Sequence, residues 1–154
     1  MTYPVLLCTD GSERSTHALA SGLAILSPDA RPVIVTVVED PDPTLVTGAG
    51  LAGGVMSSEE FDRLDNQALA AADERVAAAR EALGLADAEV HVLRGRPGHA
   101  LVDHAVEIGA KAIVVGSRGR GGLKRAVLGS VSDHLVRHAP CTVLVTGDNG
   151  PEED

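Results

Sequence analysis

Aromatic residues are nearly missing from this chain: one Phe, one Tyr and no Trp among 154 residues. Single-stranded nucleic acid is held by stacking bases on aromatic faces, so that class of binder is disfavoured. Basic residues are short as well. Thirteen Lys and Arg stand against 22 Asp and Glu, a formal charge of −9, which opposes general attraction to nucleic-acid backbones or anionic membranes. Only two cysteines occur, Cys8 and Cys141; they are too few for a disulfide framework, and a reduced, cytoplasmic protein is expected. No apolar run approaches the roughly 20 residues that cross a bilayer. The start, Met1-Thr2-Tyr3-Pro4-Val5, lacks the basic n-region of a secretory signal. The familiar nucleotide fingerprints are absent too. There is no Gly-x-x-x-x-Gly-Lys-Ser/Thr, and the turn Thr9-Asp10-Gly11-Ser12 is not Gly-x-Gly-x-x-Gly.

What is present is a steady alternation of strand-like and helix-like segments. Five short apolar runs rich in β-branched residues, Pro4–Thr9, Arg31–Val38, Ala88–Leu93, Ala112–Gly116 and Cys141–Val145, mostly lack in–out alternation, as strands buried on both faces do. Between them lie four helical patterns. The first, Ser12–Leu26, carries Leu19, Leu23 and Leu26 on one face. The longest opens at the capping box Ser57-Ser-Glu-Glu60, runs a stripe of Phe61, Leu64, Ala68, Ala72, Val76, Ala79 and Leu83, and stops at Gly84. A third spans about Gly98–Ile108 and a fourth Ser130–His138. This order implies right-handed βαβ crossovers: a single-domain α/β protein, its open parallel five-stranded sheet covered by helices on both faces. The Pro- and Gly-rich segment Glu39–Met56 is long for a connection, and so either functional or mobile. The acidic tail Gly147–Asp154 is expected to be disordered.

In such a sheet, ligands bind beyond the carboxyl ends of the strands, where strand order reverses. The most informative strand end is the fourth, Gly116 to Ser130, where Arg118, Arg120, Lys124 and Arg125 gather almost a third of the chain's basic residues among several glycines. A positive loop on a negative chain suggests a bound polyanion. Gly116 lets a flat or phosphorylated ligand approach the backbone, and Gly119 supplies a turn whose N–H groups can form an anion nest. Gly129-Ser130 opens the fourth helix, where free N–H groups and the helix dipole favour phosphate. Plainer roles stand beside these. Ser130-Val-Ser-Asp133 is itself a capping box with Ser130 as N-cap, and Asp10 could cap the first helix.

The spacing Gly-x2-Gly-x9-Gly-Ser, met by Gly116, Gly119, Gly129 and Ser130, together with Asp10 after the first strand and Val37-Val38-Glu39 ending the second, resembles the universal stress protein family and, within it, the ATP-binding branch. The resemblance covers about residues 3–146, so that 1–146 reads as one such domain and 147–154 as its tail. It implies strand order 3-2-1-4-5, a Rossmann-like sheet similar to the adenine nucleotide alpha hydrolases, and a homodimer through the C-terminal strand. It also implies that Gly116, Gly119, Gly129 and Ser130 hold the triphosphate of ATP, with Val131 and Ser132 continuing the phosphate end. Arg118 lines the nucleotide with its backbone. Asp10 bonds the ribose or a Mg²⁺ ion, Thr9 flanks it, and Val37 meets adenine through its backbone.

The resulting expectation is a regulatory ATP-binding protein of the stress response that works with an unidentified protein partner. A slow ATPase or phosphotransferase is the alternative, opposed by the lack of an evident general base beside the phosphate loop. A nucleotide-free interaction module is the other, opposed by the intact glycine motif. His134 and His138 are one helical turn apart, as paired metal ligands would be, but no third ligand is evident in the sequence, and His99 and His104 read as surface positions. With strand four between them, Cys8 and Cys141 would be about 9–10 Å apart, too far for a disulfide.

Overall fold

The computed structural model describes residues 1–42, 44, 56–117 and 128–147. Five strands, β1 (Tyr3–Cys8), β2 (Ala30–Val38), β3 (Glu89–Arg94), β4 (Ala112–Gly116) and β5 (Thr142–Thr146), form one sheet of order β3-β2-β1-β4-β5 with every neighbouring pair parallel. The expected order and direction are both observed. Arg118, Gly119 and the basic cluster with them, residues 43 and 45–55 of the Glu39–Met56 segment and all but Gly147 of the tail lie outside the described residues.

The lack of in–out alternation has a direct cause. Leu6, Cys8, Val33, Val35, Ile113 and Val115 point to one face and pack on Leu101, Ala105 and Leu135. Val5, Leu7, Ile34 and Val114 point to the other and pack on Leu19, Val76 and Ala79. Helices α1 (Glu13–Leu23) and α2 (Ser58–Ala82) cover that second face; α3 (Pro97–Ile108) and α4 (Ser130–His138) cover the first. A fully buried Leu or Val is worth about 1.5–3 kcal/mol, so the three inner strands β2, β1 and β4, buried on both faces, anchor the fold.

The helices depart from expectation at particular places. The regular part of α1 ends at Leu23; Ile25 and Leu26 donate to Gly22 and Leu23 in tighter i→i+3 turns, while Leu23 and Leu26 still pack on the core. Helix α2 begins at the expected cap, with Ser57 Oγ accepting from the Glu60 N–H at 3.2 Å. Leu64, placed on its inner stripe, is 42% exposed. A helix of this length spans about 37 Å, and a six-residue strand only about 20 Å. The buried residues Ala72, Val76 and Ala79 accordingly all belong to its second half.

His104 is a clearer correction. It is buried, at 7% exposure, because α3 turns this residue toward β3 rather than toward solvent. Its Nε2 meets His91 Nδ1 at 2.8 Å and its Nδ1 meets Glu107 Oε2 at 3.0 Å. With Glu107 accepting from Nδ1–H, Nε2 of a neutral His104 must accept from His91.

Candidate functional site

Cys8 pairs with Val35 on one side and Val115 on the other. Asp10, Val37 and Ser117, each two residues further along, therefore emerge at one level at the carboxyl end of three adjacent strands. Neighbouring strands are about 4.8 Å apart, so this row is about as wide as a nucleoside.

At β1, the chain turns sharply into α1. Thr9 is buried, and its Oγ1 accepts from the Gly11 N–H at 3.0 Å and from Ser15 Oγ at 3.3 Å. That side chain braces the turn and leaves Asp10 to present the polar group. Asp10 Oδ1 accepts from the Ser12 N–H at 2.9 Å and from Ser12 Oγ at 2.6 Å. The N-cap of α1 is Ser12, whose Oγ accepts from the Ser15 N–H, so Asp10 orders the turn and does not cap the helix. Gly11 sits at φ +83°, where side chains are strained. A Cβ there would also lie 2.6 Å from Cγ and 2.7 Å from Cδ of Arg75, on α2. Sequence reading missed Arg75, which no motif marks and which stands 64 positions from Gly11.

At β4, a set of backbone bonds draws the two ends of the glycine motif together. Ser117 N–H donates to Thr146 O at 2.9 Å, and Ser117 O accepts from the Gly129 N–H at 2.8 Å. Ser132 Oγ, buried, donates to Gly129 O at 3.0 Å and reaches Ser117 O at 3.4 Å. The opening turn of α4 is thus fastened to the end of β4, with Gly116 beside Gly129. Ser117, a variable position of the motif, does the fastening; its backbone role left no mark in the sequence.

The residue capping α4 is Gly129, at φ −61° and ψ 160°, and no side chain caps the free N–H groups of the helix end. Ser130, for which capping was the plainer role, is the first helical residue, where the fourth helical pattern was expected to begin. The reason is tertiary: Ser117 O captures the Gly129 N–H, and Gly129 O takes the first helical bond, from Asp133. Ser130 is left exposed, Val131 packs into the core, and Ser132 is spent on the fastening. The amino end of α4 therefore meets the row of strand ends with its side-chain cap missing, a ready place for an anion.

The thiol of Cys8 lies beneath this row, and burial, with Cys141 a lesser cause, pushes it up to about 12. It stays a neutral packing group, not a nucleophile. Both cysteines are free, as expected; Cys141 immediately precedes β5 instead of lying on it.

Further along α4, His134 stacks on His99 of α3, ring centroids 4.3 Å apart, and on His138 at 4.5 Å. The third imidazole absent from the sequence reading is thus supplied across the helix pair. Gly98 makes the contact possible, since a Cβ there would sit 2.7 Å from the His134 ring. Burial, then the neighbouring His99, His138 and Arg96, hold the His134 pKa below its ordinary 6.5, and Asp133 opposes them. Among the described residues, no group of three or more His, Cys, Asp or Glu is arranged to hold a metal ion.

An all-parallel sheet of this order, with a crossover between β1 and β4 and a glycine-capped helix facing it, defines a doubly wound α/β protein with its candidate site at the topological switch point. The family model described as "Universal stress protein family" matches residues 1–147. Universal stress protein YxiE of Bacillus subtilis is 31% identical over 148 residues, covering 94% of this chain and 99% of its own. This chain belongs to the universal stress protein family. Among solved structures, universal stress protein UspA from Lactobacillus plantarum superposes with a TM-score of 0.73 at 22% identity, over 95% of this chain and 99% of that one. A universal stress protein in complex with cAMP is 28% identical with a TM-score of 0.57, over 95% and 98% of the two chains.

Proposed function

We propose that the protein is an ATP-binding member of this family, a regulatory homodimer whose nucleotide occupancy is read by a protein partner during stress. The observation that carries this reading is the opening of α4: capped by Gly129 without a side-chain bond, and fastened to the end of β4 through Ser117. Phosphate would lie on the N–H groups of that turn, between Gly116 and Ser130. Asp10 would face the ribose or a Mg²⁺ ion, with Val37 at the adenine edge. The chemistry suits Mg²⁺, which is commonly held by one or two carboxylates, the ligand's phosphates and water. That a relative of 28% identity is described as a complex with cAMP supports a nucleotide over other anions.

A binding role is favoured over a catalytic one. Asp10 Oδ1 already accepts two hydrogen bonds from Ser12, a poor arrangement for a group that must take a proton from water. Dimerisation would use β5, an edge strand of the sheet. A cytoplasmic location belongs to the same reading; no described helix is long and apolar enough to cross a membrane. Mass spectrometry of the gently extracted protein should find an adenine nucleotide travelling with it. Protein that carries none and gives no calorimetric heat with ATP and Mg²⁺ would refute the reading.

A further inference from the structure

Arg75 occupies an unusual place. It belongs to α2, between the buried Ala72 and Val76, and is itself half-buried. Its Cβ, Cγ and Cδ lie 3.3, 2.6 and 2.7 Å from where a Cβ on Gly11 would be. The stem thus runs across the Gly11 backbone in the space that a side chain there would fill. The guanidinium begins one bond beyond Cδ, so it is delivered beside the Asp10–Gly11 turn.

Among the described residues the charge of that guanidinium is not spent on a carboxylate. Arg31, Arg94 and Arg137 are each paired with a carboxylate, Glu89, Asp65 and Asp133 respectively. Among the described residues Arg75 has no hydrogen bond or ion pair. In a chain with 22 acidic residues against 13 basic ones, a half-buried arginine that meets no carboxylate among the described residues is held for another anion. Partial burial raises the cost of leaving a charge unpaired. The forked guanidinium is also the side chain best shaped for non-bridging phosphate oxygens.

We infer that Arg75 is an anion-binding residue of the nucleotide site, reaching over Gly11 from α2 to a phosphate group of the ligand. This rests on the proposed function, because it takes the ligand to be a nucleoside phosphate. It adds a second positive element to the amino end of α4, contributed from the opposite face of the sheet. Glycine at position 11 thereby acquires a second reason beyond its positive φ: it clears the path of the arginine stem.

The test uses two variants of the full chain. Arg75→Met keeps an unbranched stem over Gly11 and removes the guanidinium; Arg75→Lys keeps the charge without the fork. Circular dichroism and thermal melts establish that both are folded. Calorimetry at low salt then measures ATP with Mg²⁺, and adenosine is measured by displacement. Arg75→Met should weaken ATP binding about ten- to hundredfold, the loss of one or two charge-assisted hydrogen bonds. Arg75→Lys should recover part of it, and adenosine should bind all three proteins equally. If Arg75→Met binds ATP as wild type does, or loses ATP and adenosine in equal measure, Arg75 only packs and the inference is overturned. If wild type binds neither ligand, the nucleotide reading itself falls and takes this inference with it.

Discussion

Replacing Gly129 with Val separates the ligand from the fold. Gly129 lies at φ −61° and ψ 160°, a region open to every residue and comfortable for a β-branched one. Its backbone bonds, from its N–H to Ser117 O and from the Asp133 N–H to its own carbonyl, do not depend on the absence of a side chain. The stability cost should therefore be that of a poorer N-cap, about 0.5–1 kcal/mol, a drop of about 1–4 °C in melting temperature for a chain of this size. The effect on ligand should be far larger. An isopropyl group at the amino end of α4 would stand where phosphate is expected to approach. Losing two hydrogen bonds to charged oxygens costs about 3–6 kcal/mol, or about two to four decades in affinity. Calorimetry with ATP on wild type and Gly129→Val, beside thermal melts, reads both quantities. Arg120→Ala is the electrostatic control: a smaller loss that fades as salt is added. A folded Gly129→Val that binds ATP like wild type would refute the assignment of this helix end to phosphate.

Other consequences follow from packing and charge. Gly22 of α1 faces Val114, and an added Cβ would also lie 3.3 Å from Thr146 Cγ2; Gly22→Val should cost about 1–3 kcal/mol by overpacking, read by urea denaturation, with no change expected if α1 can shift freely. His104→Ala removes the partner of His91 and should cost about 1–3 kcal/mol, whereas a surface histidine would cost almost nothing. For His134 the folded pKa is lowered, so the unfolded chain takes up the proton more readily. The stability this contributes is intact above pH 6.5 and is lost as pH falls from there through the folded value. Melting temperature should therefore fall less steeply with acid in His134→Gln than in wild type, and parallel curves would count against it. Wild type should scatter light as a dimer at micromolar concentration and Val143→Pro, on edge strand β5, as a monomer; a monomeric wild type would contradict pairing through that edge.

The order of elements is legible in the sequence because it is written in local chemistry. Runs of Val, Ile and Leu without alternation mark strands buried twice over, and Ser57 and Gly84 bracket α2 by capping rules alone. The motif joining Gly116 to Gly129 and Ser130 likewise marked a candidate site, since glycines and a helix start have recognisable spacing. What the sequence could not decide was which groups distant segments would offer one another. Whether Ser130 caps α4 or opens it was left open by the sequence, and the carbonyl of Ser117, by taking the Gly129 N–H, makes Gly129 the cap. His104 looked exposed until α3 was laid against β3, where His91 receives it. His99 met His134, and Arg75 met Gly11, only when two helices from separate parts of the chain were packed on their neighbours. Periodicity states that a helix has an inner face, since it is a property of a few consecutive residues. Which strand that face meets, and at what register, depends on the closing of the whole sheet, and that settles which polar groups are buried, paired or left open to a ligand.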